Sequence, residues 1–151
     1  MASIEAAMLT ITLSPSSVPK RRNARLTVTC KVVFEEIERC VMQVCPNGTW
    51  FALEARCFGE DHPNNHSRDD ELFFIQKRIF PLQDPSNITF IADVFEDALN
   101  EDPGADPPET PSFPPPPPGL DEIYVRLTLF NMFSNTVVAE VDTNVVTGVF
   151  R

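Results

Sequence analysis

Basic residues are scarce in this sequence: 12 Lys and Arg stand against 22 Asp and Glu, a net charge of −10 at pH 7. Phosphate contacts need the opposite balance, so nucleic acid is excluded as a partner, and so is an anionic membrane surface. No stretch approaches the roughly 20 apolar residues of a membrane-crossing helix, and no membrane insertion is expected. Residues 1–13 lack both a basic segment and a continuous apolar one, so no signal peptide is expected. The chain therefore reads as cytoplasmic or particle-associated. Three glycosylation acceptors, beginning at Asn47, Asn65 and Asn87, leave secretion open.

Histidine is rarer still. His62 and His66 share one polar loop, and the sequence has no nucleophile elbow, phosphate loop or dinucleotide fingerprint. Neither an enzyme nor a cofactor is expected.

No cysteine follows Cys57. Cys30 alternates in phase with Leu26, Val28 and Val32, and Cys57 with Phe51, Leu53 and Ala55. Both should point inward and act as small hydrophobes. An oxidising compartment would permit a bridge between them, but spacing does not decide pairing. Cys40, Cys45, His62 and His66 do not make a zinc finger. The gap from Cys45 to His62 is too long, and Pro63 keeps the two His off a common helix face.

What the sequence does have is alternation. Leu26, Val28, Cys30, Val32 and Phe34 interleave with Arg25, Thr27, Thr29, Lys31 and Val33, and Ile123, Val125, Leu127 and Leu129 with Tyr124, Arg126 and Thr128. Weaker strand signals cover 8–13, 40–45, 50–58, 72–80, 88–95 and 136–146, and 96–100 could add a helical turn. Turn residues separate them at Ser14-Pro15, Pro46-Asn47-Gly48, Asp84-Pro85-Ser86-Asn87 and Ser134-Asn135. The expected fold is a single all-β domain over residues 1–151, an antiparallel β-sandwich of about eight strands. It resembles the immunoglobulin-like and fibronectin-like sandwiches. It departs from antibody domains because the strand from Ile123 carries no Cys and Trp50 is misplaced for a core Trp. Leu26, Val28, Cys30, Val32, Leu53, Ile123, Val125, Leu127 and Leu129 are the expected core. Twelve Phe against one Trp and one Tyr suit packed interiors and dry interfaces.

Residues 100–120 break the pattern with Pro103, Pro107, Pro108, Pro111 and the run Pro114–Pro118. Such a loop favours polyproline II and cannot join a central sheet. Phe113 with the proline run, followed by Asp121 and Glu122, resembles the ligands of EVH1 domains.

Charge is unevenly spread along the chain. With eight consecutive antiparallel strands, the loop holding Lys20, Arg21 and Arg22 would lie at one end. The acidic loops around Glu35–Glu38, Glu60–Glu71 and Glu96–Glu109 would lie at the other. This suggests contact between subunits: Lys20, Arg21 and Arg22 against Asp69, Asp70, Glu71 and the Glu96–Glu109 loop of another chain, with Phe113, Phe150 and the Phe residues of 72–80 as apolar anchors. The C-terminal residues 144–151 are β-prone and would either complete their own sheet or add to a neighbour's. The functional expectation is a non-catalytic protein–protein interaction or structural module, a homo-oligomer subunit or decoration protein of a particle or filament. The alternatives are a calcium- or carbohydrate-binding sandwich using the acidic loops, with calcium placed as in sandwiches resembling C2 domains, and a proline-motif adaptor.

Overall fold

The computed structural model describes residues 1–44, 51–60, 69–80, 87–100 and 120–150. The elements run β1 (Ser3–Pro15), β2 (Arg22–Val33), α1 (Glu36–Val44), β3 (Phe51–Gly59), β4 (Asp70–Phe80), β5 (Ile88–Phe95), a 3₁₀ turn (Glu96–Leu99), β6 (Asp121–Asn131), β7 (Thr136–Asp142) and β8 (Val146–Gly148). They form two antiparallel sheets, one of three strands ordered β1-β2-β5 and one of five. The larger is ordered β4-β3-β6-β7, with β8 also pairing to β6. The fold is mostly β and sandwich-like.

The alternation in β2 and β6 places the core where the sequence indicates. All nine expected core residues are buried, Cys30 at 4% exposure being the least so. Each fully buried aliphatic side chain contributes roughly 1.5–3 kcal/mol. The strand β6 is covered on both faces, since Tyr124 and Thr128 are buried opposite the inward set. Cys30 and Cys57 are both buried.

Two elements differ from expectation. The segment 40–45, expected as a strand, falls largely within α1. Glu38 accepts the backbone N–H of Glu35 at 3.0 Å, the return half of a capping box, and Glu36 and Glu38 favour the positive end of the helix dipole. Capping overrides the weak period-2 pattern, and α1 turns Met42 into the core. The expected strand 136–146 is also broken. Beyond β7, Thr143 exchanges two hydrogen bonds with Val125, its N–H donating at 2.9 Å and its hydroxyl accepting at 3.0 Å. Asn144 then turns to β1, where its amide oxygen accepts the Leu9 N–H at 2.7 Å and its Nδ2 donates to the Leu9 carbonyl at 3.1 Å. One side chain thus ties the edge strand of the small sheet to the large one. The same edge carries a bulge between Glu5 and Met8, with Ala6 at φ 51°, which interrupts its pairing surface.

The stacking of the two sheets defines the ends of the molecule. The Phe34 and Phe51 rings lie 4.9 Å apart, so the end of β2 and the start of β3 share one end with α1 and the β6–β7 turn. The β1–β2 turn, the 3₁₀ turn and the starts of β4 and β6 share the other.

Candidate protein interface

The helix between β2 and β3 changes the parity of the loops, and this overturns the expected segregation of charge. A strand there would have put the basic turn and the acidic 96–97 segment at opposite ends. With a helix in its place, Asn23 at the start of β2 pairs with Phe95 at the end of β5, and the two charged segments are neighbours. Arg21 Nη2 donates to both carboxylate oxygens of Asp97, at 2.8 and 2.7 Å, and its guanidinium lies 3.7 Å over the Phe95 ring. Arg22 Nη2 donates to Glu96 at 2.9 Å, and its Nε pairs with the other oxygen of that carboxylate. Glu96 is only 2% exposed, so this ion pair meets a carboxylate held in the interior. The hydrogen bond from Arg22 to Glu96 raises the Arg22 pKa above its ordinary value. The carboxylates of 96–97 that Arg21 and Arg22 meet therefore belong to their own chain.

The other expected interface residues have separate surroundings. Lys20 is exposed at the turn with φ 65°, and Asp70 is exposed at the start of β4. Glu71 accepts from Arg56 Nη1 at 2.7 Å, and Asp69 accepts the Tyr124 hydroxyl at 2.7 Å. Burial, then the bond to Asp69, pushes the Tyr124 pKa well above the usual phenol range. Phe150, expected as an exposed anchor, is 5% exposed and packs in the core, because β8 completes its own sheet and carries Phe150 inward. Phe113 lies outside the described residues, as do His62, His66, Cys45 and the proline run.

The outer face of the five-stranded sheet is similarly occupied. Arg126 sits 4.8 Å over Phe58 and donates to Asp142 at 2.9 Å, and Phe58 stacks on Tyr124 at 5.6 Å. Its charges are matched side by side. Among the described residues, no group of three or more His, Cys, Asp or Glu could hold a metal ion.

The helix end is different in kind. Ile79, Ala52, Phe130 and Val137 are register partners across β4, β3, β6 and β7 and form one apolar row on the outer face. Met132 and Phe133 project from the turn beside it, and Ile37 lies on α1. Large apolar side chains are left open here: Met1 77%, Ile37 69%, Phe133 65%, Val137 55%, Ile79 45% and Met132 36%. Three of them, Met1, Ile37 and Val137, border an open depression of about 390 Å³ together with Glu38, Phe51, Asn131, Thr136 and Val138. Sequence reasoning missed this site. The visible signal was Met132-Phe133, two large apolar residues in a turn where polar ones are the rule.

No family model, curated protein or solved structure matches this chain.

Proposed function

We propose that this chain is a non-catalytic protein–protein interaction domain, a subunit or decoration protein of a larger assembly, built on an immunoglobulin-like or fibronectin-like sandwich. The fold type is supported by the strand order. Strands one, two and five share one sheet and strands three, six and seven the other, as in those sandwiches, with the fourth strand on the second sheet. The functional reading is carried by the apolar helix end. Six large side chains, each at least 36% exposed, lie toward this end of the molecule, whereas Arg21, Arg56 and Arg126 elsewhere are each paired with a carboxylate. Large contiguous apolar patches mark contact sites, because water contact there is unfavourable by roughly 25 cal/mol per Å².

Native size measurement of the tagged full chain in cell extract tests this reading. The expected result is elution above monomer size, collapsing to monomer size when Ile37 and Phe133 are replaced by charged residues. Monomer-sized elution of the unaltered chain would overturn it.

A further inference from the structure

We infer that the free edge of β5 is a second contact surface, where two copies of this chain pair antiparallel about Ile91 and join their three-stranded sheets into one. It uses none of the open side chains of the helix end. The direction of the edge groups follows from the Asn144 clamp. Asn144 accepts the Leu9 N–H and donates to the Leu9 carbonyl, so both groups of Leu9 point away from β2. Backbone groups alternate in direction along an antiparallel ladder. Val28, opposite Leu9, therefore bonds toward β5, where its partner is Phe90. Ala92 bonds to Leu26 in the same way, and the N–H and carbonyl groups of Thr89, Ile91 and Asp93 face out from the free edge. Among the described residues, no strand pairs with β5 on that side.

The edges of β1, β4 and β7 are interrupted, and this one is not. β1 has its bulge after Glu5 and the Asn144 clamp at Leu9. β4 shifts register twice and carries Lys77 and Arg78, and β7 shifts register beside Phe130. Bulges and edge charges of this kind keep a strand from pairing with other chains. β5 instead holds register with β2 over eight consecutive pairs, from Asn23 with Phe95 to Cys30 with Ile88. It contains no Pro or Lys, and its one charge, Asp93, is bonded to Arg25 at 2.8 and 3.1 Å.

The strand is also complementary to itself. Centred on Ile91, the antiparallel register matches the three outward residues with one another: Ile91 with the partner's Ile91, and Thr89 with the partner's Asp93. The Ile91 side chains, each 53% exposed, then cover one another on the outer face. On the inner face Phe90 meets the partner's Ala92, and Ala92 is only partly buried in the single chain. Sliding the register toward Phe95 would bring the two Asp93 carboxylates together, which like-charge repulsion disfavours. Self-matching is what a two-fold contact requires, and it marks the occupant as a second copy. With one large exposed side chain from each copy the pair is weak, and at the dilution of a cell extract it comes apart. Two chains of net charge −10 repel, and salt tightens the pair by screening that repulsion.

Sedimentation of the purified chain from micromolar to millimolar concentration is the test, with amide hydrogen exchange read at both extremes. The expected result is a monomer–dimer equilibrium, tighter at high salt. The amides of Thr89, Ile91 and Asp93 should become protected as concentration rises, while those of Phe90 and Ala92 are protected throughout. Ile91→Lys and Ile91→Glu should each weaken self-pairing at least tenfold with an unchanged circular dichroism spectrum. An equimolar mixture of the two variants should pair, because in this register position 91 faces position 91 and opposite charges then meet. A monomer at the highest concentration, protection indifferent to concentration, pairing untouched by either substitution, or a mixture no better than its components would each overturn the inference. The protein-contact reading is decided separately, by whether Ile37 and Phe133 govern size in extract.

Discussion

Asp121 Oδ2 accepts the backbone N–H of Phe150 at 2.9 Å, and both residues are buried. The bond anchors the segment after β8 over the start of β6, and the ring of Phe150 closes against Gly148, where an added Cβ would sit 3.1 Å from its tip. Phe150 is therefore a stability residue. Replacing Phe150 with Ala should destabilise the fold by about 3–5 kcal/mol, read from urea denaturation. A loss below about 0.5 kcal/mol, the range of ordinary surface positions, would show that the terminus is not packed as described.

Leu127 and Ile91 separate core from surface on similar side chains. Leu127 is fully buried in β6, whereas Ile91 is 53% exposed on β5. Leu127→Ala should cost about 2–5 kcal/mol and Ile91→Ala well under half as much, because only the first leaves a cavity. Equal losses from the two would contradict the assigned sheet faces.

Arg22 and Arg25 each pair with a carboxylate, but against different backgrounds. Glu96 is buried at 2% exposure, while the Asp93 side chain beside Arg25 is 59% exposed. Removing Arg22 takes a partner from a carboxylate in the interior, and removing Arg25 takes one from a carboxylate in water. Arg22→Ala should lower the thermal midpoint clearly more than Arg25→Ala, and Arg22→Ala combined with Glu96→Gln should recover part of the loss. If the two single variants melt together, the pair at Glu96 is not structural.

These contrasts show which parts of the molecule were legible in advance. The faces of β2 and β6 follow from strict alternation at Leu26–Val32 and Ile123–Leu129, because a buried face imposes a period of two. The helix α1 was misread for a local reason. Cys40, Met42 and Val44 mimic alternation, while the deciding contact is Glu38 reaching back to Glu35. That single error reversed the loop parity, so Arg21 and Arg22 were assigned a partner chain although Asp97 and Glu96 lie beside them. Apart from Met132-Phe133, the apolar helix end was illegible because it is assembled by register. Ile79, Ala52, Phe130 and Val137 come from four strands, and nothing in their spacing announces the row.

Cys30 and Cys40 should behave as opposite kinds of thiol. Cys40 is exposed on α1, while Cys30 is buried in β2, and burial pushes its thiol up from the ordinary value near 9 to about 11. Alkylation of the native protein under reducing conditions at neutral pH should therefore modify Cys40 and spare Cys30, because the thiolate is the reactive form and access is needed as well. The same displacement links stability to pH. Below about pH 9 the Cys30 thiol keeps its proton in both folded and unfolded chains, so it adds no pH dependence. Between about pH 9 and 11 the unfolded chain releases the proton while the folded one holds it, and stability falls across that window. Cys30→Ala should flatten this part of the profile, measured as the urea midpoint at successive pH values. Tyr124, also raised by burial, would leave a residual slope at the alkaline end. Modification of Cys30 as fast as Cys40, or an unchanged slope in the Cys30→Ala variant, would mean that β2 does not hold this thiol in the interior.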